Sequence, residues 1–154
     1  MSTYFSFYKP QYNPTGMVGT VGGAISSTQL LPRKDTLFAS RDTSELIAVS
    51  QYRKFYAKQI ADVTLTGLKV EIANVDMSSQ IYFGVTTGTN DYVTDPTIAP
   101  TGVDLTGNYL YPVYLTGSYT LNSTIPIWVK QVISADTADD DFVSFQLRIV
   151  GTLV

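Results

Sequence analysis

Near its C-terminus the chain alternates strictly, with Val143, Phe145, Leu147 and Ile149 on one side and Ser144, Gln146 and Arg148 on the other. Side chains repeat every two residues only in an extended backbone. Residues 142–150 therefore predict a strand with one face in a core and one in water. The same period recurs upstream. Leu68, Val70 and Ile72 alternate with Lys69 and Glu71, and Ile81-Tyr82-Phe83-Gly84-Val85 follows after turn chemistry at Asn74 and Asp76. These two segments are expected to be antiparallel neighbours. Residues 51–59 predict a further strand, with Arg53, Phe55 and Ala57 on one face. Tyr52, Lys54, Tyr56 and Lys58 lie on the other, which is expected to look outward. Strands are also expected around 108–115 and 125–133. Pro112 and Pro126 should sit at strand starts, bulges or edges, because proline has no N–H to give to a ladder. The one helical signal is a capping box at the start of Asp42–Val49, with Asp42 as N-cap and Glu45 three residues on.

Seven or eight strands joined by Gly, Pro, Asn and Asp turns predict an all-β fold, an antiparallel β-sandwich or jelly roll. Eleven Tyr, seven Phe and many Thr and Val residues agree, since aromatic and β-branched side chains pack well on a pleated surface. The sandwich is expected to occupy residues 33–154 as one domain, a size that buries a core without staples. Residues 1–32 read differently. They are dense in aromatics, Gly and Pro, and Thr15–Gly23 holds too much glycine for a helix interior. An extended arm is expected here, with Tyr4, Phe5, Phe7, Tyr8 and Tyr12 laid along their own domain or on a neighbouring subunit.

The chain has no Cys and no His. A thiolate nucleophile, a disulfide framework and a Cys-ligated metal are thereby excluded, and the commonest general base and metal ligand is missing. There is no nucleophile elbow, Walker loop or dinucleotide fingerprint, so a non-enzymatic protein without a cofactor is expected. Carboxylate pairs such as Asp104 with Asp62 or Glu71 would suit a glycosidase only if the fold brought them together. The net charge of −3 provides no overall basic field for nucleic acid, although Arg33, Lys34, Arg41, Arg53, Lys54 and Lys58 concentrate positive charge in the first half. Met1–Tyr12 does not read as a secretory signal, and no apolar stretch is long enough to span a bilayer.

Three segments offer binding chemistry. In the acidic run Asp136-Thr137-Ala138-Asp139-Asp140-Asp141, the carboxylates of Asp136, Asp139, Asp140 and Asp141 are candidate Ca²⁺ ligands. The run lacks the EF-hand spacing, and a solvated turn is the plainer reading. Tyr109, Tyr111, Tyr114, Tyr119 and Trp128 are candidates for stacking on sugar rings. Against that, Tyr111 and Tyr114 are expected to alternate with core positions, and Trp128 to pack under a loop. The polar connection 86–101 is a candidate binding loop.

Several words along the chain are similar to those of small virion proteins of tailed bacteriophages that decorate or stabilise the head. They include Gly22-Gly23-Ala24-Ile25-Ser26, Gln51-Tyr52-Arg53-Lys54-Phe55-Tyr56-Ala57-Lys58, Phe83-Gly84-Val85, Asn90-Asp91 and Thr94-Asp95-Pro96. Ala99-Pro100-Thr101-Gly102, Ile127-Trp128-Val129-Lys130 and Asp139-Asp140-Asp141 complete the set. The resemblance implies a β-sandwich protein present in many copies on the virion surface. It would be a homotrimer on the outer face of the capsid, bridging neighbouring copies of the major capsid protein and binding neither nucleic acid nor membrane. On that reading the arm residues Tyr4, Phe5, Phe7, Tyr8 and Tyr12 dock on a neighbour, and Arg53, Lys54 and Lys58 set the register. The alternatives are a phage tail, baseplate or fibre module and a carbohydrate-binding β-sandwich module.

Overall fold

The computed structural model describes residues 4–11, 22–31, 49–75, 81–88, 91–133 and 145–154. Among them the chain is all-β and contains no helix. The strands are β1 (Phe5–Pro10), β2 (Ile25–Gln29), β3 (Val49–Gln59), β4 (Leu65–Val75), β5 (Ile81–Val85), β6 (Val113–Tyr114), β7 (Ser118–Tyr119), β8 (Thr124–Ile133) and β9 (Phe145–Leu153). They form two antiparallel sheets. One has the order β2-β1-β3-β8-β5; in the other, β4 pairs with β9 and with the short β6 and β7. This is the expected sandwich, although the jelly-roll form does not follow from this strand order. The helix signal at 42–48 lies outside the described residues.

Period-two alternation puts the core between the sheets. Phe55 and Ala57 of β3, Ile81 and Phe83 of β5, and Ile125, Ile127 and Val129 of β8 bury one face of the first sheet. They meet Leu65, Leu68, Val70 and Ile72 of β4, with Phe145, Leu147 and Ile149 of β9 half-buried beside them. Burying a side chain of this size contributes about 1.5–3 kcal/mol, which makes this layer the main source of stability. Gly67 adopts a φ of +57° at the point where β4 shifts register against β9 between Thr66 and Lys69. Glycine takes that conformation without steric cost, and the resulting bulge lets β6 and β7 pair with separate stretches of β4.

Four expectations are corrected or narrowed. First, β4 and β5 are not neighbours: β5 pairs with β8 in one sheet and β4 with β9 in the other. Alternation shows which face of a strand is buried, but not which sheet the strand joins. Second, of the two placements expected for the aromatic stretch, residues 5–10 take the one along their own domain, as a strand of the sheet. They form β1, paired with β2 on one side and β3 on the other, with Phe5 7% exposed. The alternating Phe5 and Phe7 side chains reach the same core as Phe55, and the Phe7 and Phe55 rings meet edge to face at 5.7 Å. Third, of residues 108–115 only Val113 and Tyr114 are strand, because Asn108 closes a turn. Fourth, Tyr52, Lys54 and Tyr56 on the outer face of β3 are covered by other parts of the chain and not open to water, as described below.

Pro126 lies inside β8, which is central, yet causes no break. Its carbonyl accepts from the Thr86 amide at 3.1 Å, just past the end of β5. In an antiparallel strand the nitrogen points to the same side as that carbonyl. The missing N–H therefore falls where the neighbouring strand has already ended. Pro112 directly precedes β6, as expected of a strand start.

Candidate interaction surfaces

The outer face of the five-stranded sheet carries Tyr52, Lys54 and Tyr56 from β3 and Trp128 from β8, and Lys54 lies directly opposite Trp128 in the β3–β8 register. All four are buried, Lys54 and Trp128 completely. Their cover comes from residues 91–105 and from Gly22–Gly23. Beyond the stretch of β3 that β1 pairs, the Tyr52 amide donates to the Pro96 carbonyl at 2.7 Å. Val93 is buried against Tyr52 and Trp128, with Val103 and Leu105 packed beside it. A Cβ on Gly84 would lie 2.1 Å from the Asp104 carbonyl oxygen, so the loop approaches the sheet more closely there than any side chain would allow.

At the centre of this layer the Lys54 ammonium meets the Asp91 carboxylate at 2.6 Å. It also donates to the carbonyls of Gly23 and Gly88, each at 3.2 Å, and stands 4.9 Å from the centre of the Tyr56 ring. The indole N–H of Trp128 donates to the other oxygen of Asp91, and the Tyr56 hydroxyl donates to the Gly23 carbonyl at 2.6 Å. A charge removed from water needs such partners. Burial draws the Lys54 pKa below its usual value, and the bond and charge of Asp91 oppose that shift. Burial, assisted by the Asp91 charge, pushes the Tyr56 phenol up to about 12. Two backbone loops are thereby clamped to one lysine.

The charges read as docking groups are thus mostly held inside the fold. Arg53 is 1% exposed and donates to the Tyr52 carbonyl at 3.0 Å; burial lowers its pKa and the Asp95 charge opposes this. Lys58 is half-buried, with its ammonium 5.9 Å from the centre of the Tyr8 ring, and Tyr4 and Phe7 pack against the core. Tyr12 and the acidic residues Asp136, Asp139, Asp140 and Asp141 lie outside the described residues. Trp128 packs under a loop as expected. Tyr111 and Tyr114 do not alternate with core positions, since both are largely exposed.

A sequence-adjacent group of exposed large apolar side chains lies just beyond this loop. Gly107 exchanges two hydrogen bonds with Phe83, 2.7 and 2.9 Å long, and so adds one residue of pairing to the free side of β5. Next, the Asn108 side-chain carbonyl accepts from the Leu110 and Tyr111 amides at 2.9 and 3.2 Å, and the Asn108 amide donates to the Tyr111 carbonyl at 3.0 Å. An asparagine that bonds the backbone in this way fixes a tight turn. The turn holds Tyr109, Leu110 and Tyr111 outward at 49%, 72% and 64% exposure, and Tyr114 follows at 73%. The sequence signal for Leu110 is Gly107-Asn108 ahead of three large apolar residues.

Comparison with known protein families, with curated proteins and with solved structures finds no match to this chain.

Proposed function

We propose that this protein is a non-enzymatic virion structural protein. It binds the outer surface of a tailed-phage capsid and stabilises the shell by bridging copies of the major capsid protein. The observation that carries this reading is the Asn108 turn, which presents Tyr109, Leu110 and Tyr111 to solvent on a hydrogen-bonded backbone. Leaving three neighbouring apolar side chains in water is unfavourable unless a partner covers them. A turn already fixed loses little entropy on docking, and tyrosines are frequent anchors at interface centres. Many weak contacts repeated around a shell sum to firm attachment. Attachment through β1 is a poorer choice, because Phe5 and Phe7 already serve the core.

The deciding measurement is the copy number relative to the major capsid protein, by quantitative mass spectrometry of purified particles. A ratio near one per capsid subunit is expected. A handful of copies per particle would move the protein to the tail or neck, and absence from particles would end the virion reading. The Tyr109→Ser, Leu110→Ser, Tyr111→Ser triple variant should fold normally and lose occupancy on particles. Full occupancy by that variant would remove the turn from the interface. Deleting residues before Pro14 does not test docking, since it takes an interior strand out of the sheet.

A further inference from the structure

A second feature is independent of the turn. Where the two sheets part, the end of β5, the start of β8 and the β6–β7 connection enclose an open groove of about 430 Å³. Tyr114, largely exposed, forms part of its wall, and the half-buried Tyr119 of the next strand lines it as well. Thr86, Thr87, Thr116 and Thr124 also line it, and no residue lining it carries a formal charge at neutral pH. Burial holds the Tyr119 phenol above its usual pKa, so that hydroxyl remains neutral as well. The Thr86 hydroxyl is already oriented, accepting from the Gly88 amide at 3.0 Å.

Each chemical feature of the groove narrows its ligand. Without a countercharge, a carboxylate, phosphate or ammonium would lose hydration and gain nothing in exchange. An entirely apolar ligand would leave the threonine hydroxyls unmatched. Hydroxyls that both donate and accept, lining the same groove as two tyrosines, suit a molecule with apolar C–H faces and a rim of hydroxyls. The volume is within the range of small-ligand sites. We propose that this groove binds neutral hexopyranose units of a polysaccharide, with Tyr114 stacking on a sugar face and the surrounding threonines bonding its hydroxyls.

Affinity electrophoresis of the full chain tests this, in native gels containing dextran, a mixed-linkage β-glucan, mannan or galactan, with polygalacturonate as the anionic control. Retardation by at least one neutral polymer is expected, weakened about tenfold by Tyr114→Ala and retained by Tyr114→Phe. Because Tyr114 is mostly exposed, Tyr114→Ala should keep the parental melting temperature, so a loss of binding reports the site and not the fold. Retardation unaffected by the Tyr109, Leu110 and Tyr111 substitutions would keep this site separate from the turn. Migration unaffected by every neutral polymer, retardation by polygalacturonate alone, or retardation that survives Tyr114→Ala would each overturn the proposal.

Discussion

Replacing Asp91 by alanine should be the most damaging single change to the loop layer. The Lys54 side chain is 0% exposed and that of Asp91 22% exposed. The two truncations are therefore unequal. Asp91→Ala removes the carboxylate from a fully buried ammonium and also takes the acceptor from the Trp128 indole. Breaking a buried pair in this way costs about 3–5 kcal/mol. Lys54→Met leaves a carboxylate that keeps its indole donor and reaches water, so its cost falls to about 2–3 kcal/mol once solvent screening is allowed for. For a chain of this size the first change lowers Tm by roughly 6–20 °C. Urea unfolding followed by the fluorescence of the single tryptophan, which sits in the cluster, reads both variants. An Asp91→Ala midpoint within about 1 kcal/mol of the parent, or no lower than that of Lys54→Met, would refute the idea that this pair clamps the loop.

Two further outcomes follow from the geometry. Glu71 is held below the usual carboxylate range by hydrogen bonds from Lys69 and from Arg148 across the β4–β9 pair. Its contribution is complete above the unfolded value near 4.5 and is lost as pH falls through the lower folded value, so Glu71→Gln should flatten the acid limb of a stability–pH curve measured by urea titration. Gly84→Ala would set a methyl against the Asp104 carbonyl, and should destabilise by about 1–3 kcal/mol in calorimetry by lifting the loop from the sheet. An unchanged Tm for that variant would mean the loop yields freely.

Much of the architecture was legible one strand at a time. The segment 81–85 has the bounds read from its residues, and the alternation of Leu68, Val70 and Ile72 names the inner face of β4 correctly. Strand partners were not legible, because alternation is a local property and pairing is not. For that reason local alternation makes β4 and β5 read as neighbours, although they lie in opposite sheets. The same limit explains β3. Its two faces were separated correctly, yet the face bearing Tyr52, Lys54 and Tyr56 was expected in water, where lysines normally lie. It is buried because a carboxylate 37 positions further along the chain arrives over it.

By itself the sequence determined an all-β fold class: period two in most of its apolar segments, with turns at Gly, Pro, Asn and Asp, and without the cysteine or histidine on which much catalysis and metal binding rests. Tertiary structure alone decided which polar and aromatic groups stay available to a partner. Burial depends on what the rest of the chain lays over a residue. Lys54 and Trp128 are enclosed by a loop whose closure over them is a long-range event, while Tyr109, Leu110, Tyr111 and Tyr114 remain in solvent because the Asn108 turn and the edge strand β6 carry them past the last covered position.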